Sequence, residues 1–170
     1  SRLSRGLGDV YKRQLYAQAY SDIGAIYLEI KNISMAIKYL EKSLEIEPEG
    51  LSPNINLGLA YRILGKYKIS IKYYSQALKI NPNNSTLNFK IGELYEKLTD
   101  FDKANFFYRK SFSIDPNNRR AIFNSYRLNL KNFDCNSITN INSILSEFGT
   151  KSFEGGEPLT LLYFDDDPLK

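Results

Sequence analysis

Apolar and polar residues alternate along the chain with the period of amphipathic helices. Near its middle, Leu57, Tyr61 and Leu64 lie four and three residues apart, which places them on one face of a helix. A second apolar stripe stops before Asn81 and Pro82, because proline cannot continue a helix and also restrains the residue before it. The two patterns predict one helix over residues 52–64 and another over residues 68–80.

This two-helix pattern recurs every 34 residues, and its main positions keep their register through three copies. The recurring glycines, tyrosines and prolines are Gly24, Tyr27, Pro48, Gly58, Tyr61, Pro82, Gly92, Tyr95 and Pro116. Between each tyrosine and proline, a small, a large and a second small residue follow at constant spacing, namely Ala36, Leu40, Ser43, Ser70, Tyr74, Ala77, Ala104, Tyr108 and Ser111. A fixed period of this length indicates an array of repeats, each of which forms one helical hairpin.

The recurring glycine lies inside the first helix of each copy, where glycine costs about 1 kcal/mol relative to alanine. An offsetting gain is therefore expected at this position. We predict that the glycine faces the first small residue of the second helix, Ala36, Ser70 or Ala104, so that the two backbones pack closely. The tyrosine and the large residue are predicted to fill the space around that contact.

The glycine, the tyrosine, the small-large-small run and the terminal proline resemble the signature of the tetratricopeptide repeat. The middle copy is the most similar, since it also carries Leu64-Gly65-Lys66-Tyr67 at the turn between its helices. The resemblance divides the chain into repeats over residues 17–50, 51–84 and 85–118. The position that is often tryptophan in this family holds Tyr20, Asn54 and Asn88, which implies weaker packing there. The fold that the resemblance implies is all-α, an α-solenoid of helix-turn-helix repeats.

A fourth, degenerate helical pair is predicted over residues 119–149, after the regular period ends. Residues 119–131 keep the pattern of a first helix, with Ile122, Tyr126 and Leu130 on one face. However, Tyr126 occupies the glycine position and Asn129 the tyrosine position. A second helix is predicted over residues 135–148. Terminal repeats are commonly atypical, because one of their faces has no neighbouring repeat to bury it.

Residues 1–14 fit neither the repeat period nor an amphipathic face. The stretch is similar to a translated sequencing-adapter remnant, and we predict that it is a non-native leader. Its net charge of +3 leaves residues 15–170 with only +1 of the chain's +4, so the sequence pI of about 9.0 is a weak argument for a nucleic-acid partner. The alternative interpretation is a basic arm that binds RNA or a membrane.

Residues 150–170 differ from the repeats and are predicted to form an extended tail. Residues 154–158 are typical of a linker, and residues 159–164 are a short apolar run that fits a strand or an extended segment. Residues 157–168 resemble the junction between the repeats and the catalytic domain in bacterial relatives of O-linked N-acetylglucosamine transferase. This resemblance implies that the chain is the repeat portion of a longer glycosyltransferase. The alternative is an ordinary C-terminal extension of a stand-alone repeat protein.

The residue types that common catalytic and metal sites need are scarce in this sequence. The chain contains no histidine, which excludes histidine-based general-base catalysis and catalytic triads. With Cys135 as its one cysteine it cannot build the usual zinc sites, and no glycine-rich phosphate-binding loop is present. The three aspartates at 165–167 are interpreted as a solvated turn. We therefore predict no catalytic residue, no metal and no cofactor.

Signals for membrane insertion and secretion are absent from the sequence. No apolar run is long enough to cross a membrane, and the first residues lack the apolar core of a signal peptide. A single cysteine forms no internal disulfide, which favours a reducing compartment. We predict a cytoplasmic protein that binds neither nucleic acid nor membranes.

In the tetratricopeptide family, the first helices line a concave groove that holds peptides, and the resemblance implies a protein or peptide ligand here. Side chains away from the glycine-tyrosine face would form that groove. The predicted groove residues are Asn56, Arg62, Phe89, Lys90, Phe123, Asn124 and Arg127. We expect the two asparagines to hold the peptide backbone, the two phenylalanines to be apolar anchors, and the three cations to select ligands by charge.

Two binding patterns of the family can be compared with this sequence. Chaperone-binding members clamp a C-terminal carboxylate with lysine and asparagine on the first inner helix, but those positions hold Ser21 and Ala25 here. The O-linked N-acetylglucosamine transferases carry a ladder of asparagines two residues before each glycine. That position holds Asp22, Asn56, Lys90 and Asn124, so that two of the four match. An asparagine amide both donates and accepts hydrogen bonds, and it can hold a peptide backbone without reading side chains.

These features predict a non-catalytic scaffold that binds proteins or peptides. Two biological roles remain open at this point. The first is the substrate-recruiting arm of a glycosyltransferase, which the sequence of residues 157–168 favours. The second is a free-standing adaptor or assembly scaffold with no enzymatic partner domain.

Overall fold

The computed structural model describes residues 2–131, and the side chains of residues 11–129. These residues form seven helices with short connections, and no strand occurs among them. In chain order, the helices are α1 (Arg2–Glu29), α2 (Ile33–Ile46), α3 (Leu51–Ile63), α4 (Tyr67–Ile80), α5 (Ser85–Lys97), α6 (Phe101–Ile114) and α7 (Arg119–Lys131). The predicted all-α solenoid is confirmed for this part of the chain. The helices predicted from the middle copy match α3 and α4 to within one residue at each end.

The structure describes some of the regions that flank the three repeats and bears differently on the prediction for each. Residues 2–14, which the sequence pattern set apart from the repeats, continue into α1 as one uninterrupted helix. The first helix of the predicted fourth pair is α7, with the predicted bounds. Its predicted second helix, the linker and the extended tail lie outside the described residues. No helix between residues 2 and 131 combines the length and the apolar character that crossing a membrane requires.

Helices that follow one another in sequence pack together, and the resulting hairpins stack. Helix α1 packs on α2, α3 on α4 and α5 on α6, while α2–α3, α4–α5 and α6–α7 contacts join each hairpin to the next. The buried apolar clusters are centred on Ala36, Leu40 and Leu57, on Tyr74, Ile91 and Leu94, and on Phe89, Tyr108 and Leu128. Each cluster takes residues from two adjacent repeats, so neighbouring hairpins bury each other's apolar faces.

The recurring glycines make room for the large residue of the second helix. A Cβ atom added at Gly58 would lie 2.5 Å from the Tyr74 ring, which is too close for any real contact. A Cβ atom added at Gly24 or Gly92 would likewise lie 2.5 Å from the Leu40 side chain or 2.7 Å from the Tyr108 ring. The predicted close approach is therefore confirmed, and the large residue of the second helix joins the predicted small residue as a partner of the glycine. The backbone oxygen of the small residue lies 3.3 Å from the added Cβ in the first and third repeats, and in the middle repeat the Ser70 hydroxyl donates a hydrogen bond to the Gly58 carbonyl at 2.6 Å.

Each recurring tyrosine stacks on an aromatic ring of the second helix in the same repeat. The stacked pairs and their centroid separations are Tyr27 and Tyr39 at 5.4 Å, Tyr61 and Tyr73 at 5.5 Å, and Tyr95 and Phe107 at 5.5 Å. Stacked aromatic pairs of this kind contribute about 0.5–1.5 kcal/mol beyond the burial of their surface. The tyrosine position thus holds the two helices of a hairpin together.

Asparagine serves local structure at several positions of the array. Asn32, Asn84 and Asn118 each begin a helix, since each side chain accepts a hydrogen bond from the backbone N–H three residues later. Asn54 and Asn88 are buried at the family's tryptophan position, and each donates its Nδ2 to a backbone carbonyl one turn earlier. Part of the asparagine content of the chain therefore has a structural cause.

The buried face of α7 differs from the predicted one. Ala121, Ser125 and Leu128 are buried, whereas Ile122 and Tyr126 remain partly exposed. The buried residues occupy the same repeat positions as the buried apolar residues of α5. Helix α7 therefore keeps the register of a first helix and packs on the third repeat.

Candidate peptide-binding groove

Helices α3, α5 and α7 approach one another through side chains along one side of the array. Arg120 of α7 pairs with Glu93 of α5 at 3.6 Å, and Arg127 of α7 pairs with Glu96 of α5 at 2.5 Å. Arg62 of α3 acts electrostatically on Glu93 of α5. We call the surface of these three helices that carries these side chains the groove.

The predicted groove residues differ in how accessible they are. Asn56, Lys90 and Asn124 share one repeat position, one on each helix, and all three are partly exposed. Arg62 is exposed in the last turn of α3. Phe123 on α7 is 56% exposed. These five side chains are therefore open to a ligand.

Phe89 is not available as the predicted apolar anchor, because it lies in the core. Only 8% of its surface is exposed, and its ring centroid lies 5.5 Å from that of Tyr108. The guanidinium carbon of Arg120, on α7, lies 5.2 Å from the centroid of the same ring. The prediction fails because α6 and α7 together cover a side chain that its sequence position alone assigned to the groove.

The centre of the groove concentrates cations around one carboxylate. Burial lowers the pKa of Lys90, and the charges of Arg62 and Arg120 lower it further. Burial also raises the pKa of Glu93, an effect that the surrounding cations Arg120, Lys90 and Arg62 oppose. Three cations and one carboxylate leave a positive charge at the centre, which favours an anionic group on the ligand.

A closed network of three side chains links the third repeat to α7. The Tyr108 hydroxyl donates a hydrogen bond to one carboxylate oxygen of Glu96 at 2.9 Å, and Arg127 donates to the other oxygen at 2.5 Å. Burial and the charge of Glu96 raise the pKa of Tyr108, and a contact with Asn124 opposes that rise. Arg127, predicted to select ligands by charge, is therefore already paired within the protein.

The three equivalent positions in the preceding repeat, each 34 residues earlier, hold Tyr74, Arg62 and Glu93. Arg62 thus occupies the position of Glu96, and Glu93 occupies the position of Arg127, so the cation and the carboxylate have exchanged positions. Tyr74 has no exposed surface, and its hydroxyl has no acceptor within hydrogen-bond distance in the described part of the chain, while Arg62 lies near enough to act on it as a donor. Burial raises the pKa of Tyr74 and the nearby charge of Arg62 opposes this rise. In the first repeat, the same positions are apolar and hold Leu28, Leu40 and Leu59.

Two further features of the described residues bear on the kind of site. No group of metal-ligating side chains comes together between residues 11 and 129. A surface cavity lies between residues 13–14 of α1 and residues 46–49 after α2, and none of the groove residues lines it. The groove therefore offers a ligand hydrogen-bonding amides, cations and one exposed aromatic ring.

Comparison of the sequence with models of known protein families identifies the repeats. Models of the tetratricopeptide repeat match residues 17–49, 55–84 and 85–118, which together make up more than half of the chain. The chain belongs to the tetratricopeptide repeat family. Each of the three matched segments contains one of the recurring glycines. A search of curated proteins found no match.

Solved tetratricopeptide structures share the fold but little sequence with this chain. MamA is 23% identical with a TM-score of 0.63, over 66% of this chain and 66% of that chain. The first tetratricopeptide domain of Spaghetti (RPAP3), bound to the HSP90 peptide SRMEEVD, is 19% identical with a TM-score of 0.64, over 69% of this chain and 94% of that chain. The Yersinia enterocolitica type III secretion chaperone SycD, in complex with a peptide of the translocator YopD, is 13% identical with a TM-score of 0.64, over 68% and 94%. At these identities, the similarity establishes the fold alone.

Four residues that shape the groove were not among the predicted site residues. They are Tyr74, Glu96, Tyr108 and Arg120. The two tyrosines were predicted only as large core residues, because the repeat pattern does not reveal which charged side chains surround their buried hydroxyls. One repeat position could have revealed these residues in the sequence. It holds Leu28, Arg62 and Glu96 in the three repeats. A position that changes from apolar to cationic to anionic is unlike a core position.

Proposed function

We propose that this chain is a protein-binding scaffold that captures an extended segment of its partner in the groove, without catalysing a reaction itself. The observation that carries the proposal is the shared repeat position of Asn56, Lys90 and Asn124. It presents partly exposed polar side chains at regular intervals on three adjacent helices. The peptides in the RPAP3 and SycD structures support this ligand class.

The amides of Asn56 and Asn124 hold the ligand through its backbone. Each amide donates two hydrogen bonds and accepts others, so it pairs with both the C=O and the N–H of an extended peptide. Because every peptide carries these groups, the asparagines provide affinity for many sequences. Selection among ligands then falls to the charged and aromatic side chains.

Selection rests on the cations of the groove centre and on the ring of Phe123. Arg62 is exposed and Lys90 is partly exposed, so both are available to acidic ligand side chains. Phe123 is the predicted anchor that remains accessible, and a buried aromatic contact is the typical source of interface affinity. Phe89 does not contribute as an anchor, because it is buried.

The test begins with selection of binding peptides from a random nonapeptide display library. The selected peptides are then titrated by calorimetry against the protein and against the double variant Asn56→Ala and Asn124→Ala. Loss of two amides, each with a net contribution of about 1 kcal/mol, should weaken binding by about 30-fold. Circular dichroism should show unchanged helicity.

A matched control replaces two exposed asparagines outside the groove, Asn83→Ala and Asn117→Ala. This control should bind the selected peptides as tightly as the unmodified protein does. Equal affinities of the groove double variant and the unmodified protein would reject the role of the amides. A library from which no peptide is enriched would reject the proposed function as a whole.

The wider context of this binding activity is proposed to be substrate recruitment by a glycosyltransferase. The similarity of residues 157–168 to a repeat–catalytic junction supports this context. Sequencing of the gene beyond codon 170 tests it. A continuous frame with alternating strand and helix patterns is expected, and an immediate stop codon would instead favour the free-standing adaptor.

A further inference from the structure

We propose that Tyr74 and Arg62 form a subsite for the carboxylate of an aspartate or glutamate side chain in the bound peptide. This inference rests on the proposed function, since it names the chemistry that the groove selects. In the subsite, the Tyr74 hydroxyl donates a hydrogen bond to the ligand carboxylate and the Arg62 guanidinium pairs with it.

The first observation is the unsatisfied hydroxyl of Tyr74. The side chain has no exposed surface, and no acceptor for its hydroxyl lies within hydrogen-bond distance in the described part of the chain, although Arg62 is near enough to act on the hydroxyl oxygen as a donor. A buried polar group without a partner is costly, and native proteins seldom keep one without a reason. The charges of Arg62 and Glu93 both reach this hydroxyl, so it lies at the base of the charged centre of the groove.

The second observation is that a related set of side chains, with the cation and the carboxylate at exchanged positions, holds a carboxylate one repeat later. One repeat later, the Tyr108 hydroxyl donates to Glu96 at 2.9 Å, and Arg127 pairs with that carboxylate at 2.5 Å. A tyrosine hydroxyl and a guanidinium therefore hold one carboxylate between them at the equivalent place. Such charge-assisted hydrogen bonds are about twice as strong as neutral ones.

The third observation is that the carboxylate nearest to Tyr74 and Arg62, that of Glu93, acts on both only through its charge and pairs directly with neither. Arg62 occupies the position equivalent to Glu96, and no acidic side chain lies within 4 Å of its guanidinium in the described residues. Glu93, at the position of Arg127, pairs instead with Arg120 at 3.6 Å. A tyrosine donor and an exposed cation are thus present without a carboxylate in direct contact, since Glu93 is engaged by Arg120. Lys90, which Arg62 and Glu93 both influence, adds further positive charge.

The test compares pairs of peptides that differ only in glutamate or glutamine at one position, and it measures the ratio of their two affinities for the protein. The strongest binder from the nonapeptide library is synthesised in versions with glutamate and with glutamine at each position in turn. The unmodified protein should bind the glutamate version about tenfold more tightly at one position. Tyr74→Phe and Arg62→Gln should each reduce that preference to about threefold or less. Phenylalanine keeps the ring under Gly58, so Tyr74→Phe should fold normally, and its thermal midpoint should not fall.

The controls are Tyr73→Phe, on the same helix, and Lys68→Gln, which removes an exposed charge from α4. Both should keep the tenfold preference for glutamate. Tight binding of all peptides with no preference for glutamate would overturn the subsite and leave the proposed function standing. A preference that survives both Tyr74→Phe and Arg62→Gln would also overturn it. Absence of any peptide binding would overturn the proposed function and the subsite together.

Discussion

At the scale of single residues, the turns inside the three repeats adopt the same strained backbone conformation. Lys31, Gly65 and Thr99 are 34 residues apart and have φ angles of 60°, 68° and 59°. This left-handed region suits glycine, and it is unfavourable for other residues, most of all for a β-branched one. Only the middle repeat has glycine there, so the first and third repeats keep a local strain.

Thr99→Gly should therefore stabilise the protein. Relief of the left-handed strain is partly offset by the greater freedom of glycine in the unfolded chain, which leaves a net gain of about 0.5–1 kcal/mol. Urea unfolding followed by circular dichroism measures the change. The matched variant Gly65→Ala should lower stability by a similar amount. A loss of stability in Thr99→Gly would show that the threonine side chain contributes more than the strain costs.

At the scale of helices, most of the fold could be predicted from the sequence. The 34-residue period and the helical spacing placed α3 and α4 to within one residue, because glycine, proline and apolar positions act locally. Contacts between helices were harder to predict. The stacking partners Tyr39, Tyr73 and Phe107 were missed, since their register appears only when two helices are paired.

The candidate site could be predicted less completely than the fold. The helix that carries each candidate groove residue follows from the repeat register, so the sequence placed Asn56, Arg62 and Lys90 on the first helices of their repeats. The exposure of a side chain also depends on the neighbouring repeat, and Phe89 was misassigned because α7 covers its ring. The hydroxyls of Tyr74 and Tyr108 were missed for the same reason, since their surroundings come from other helices.

The network of Tyr108, Glu96 and Arg127 predicts how stability depends on alkaline pH. The pKa of Tyr108 is raised in the folded protein by burial and by Glu96. Above about pH 10 the tyrosine ionises readily in the unfolded chain but not in the folded one. The unfolded state then binds fewer protons, so the free energy of unfolding should fall as the pH rises above 10.

Tyr108→Phe should weaken this dependence, because the position can no longer ionise in either state. Urea unfolding between pH 8 and pH 11 should show a shallower decline for the variant than for the unmodified protein. The variant should also be less stable at pH 8, by about 1–3 kcal/mol, since Glu96 loses a donor. Identical slopes in the two proteins would mean that Tyr108 ionises in the folded state as easily as in the unfolded one.

At the scale of the whole array, one structural position changes its chemistry from repeat to repeat while the scaffold stays constant. Two positions of one repeat and one position of the next hold three leucines at the start of the array, a tyrosine hydroxyl without an acceptor beside Arg62 in its middle, and a hydrogen-bonded network at the third repeat and α7. Recognition can therefore vary along the groove without a change in the hairpins. The proposed subsite lies in the middle repeat, where Arg62 is exposed and has no carboxylate within 4 Å in the described residues.

The most direct test of peptide capture by the groove is a two-dimensional NMR titration of the ¹⁵N-labelled protein with the strongest library peptide. Binding in the groove predicts that the largest shift changes occur in α3, α5 and α7, and that the side-chain amides of Asn56 and Asn124 are among them. Helices α2, α4 and α6 should change less. Shift changes confined to those second helices, or to residues 11–16 of α1, would contradict groove binding.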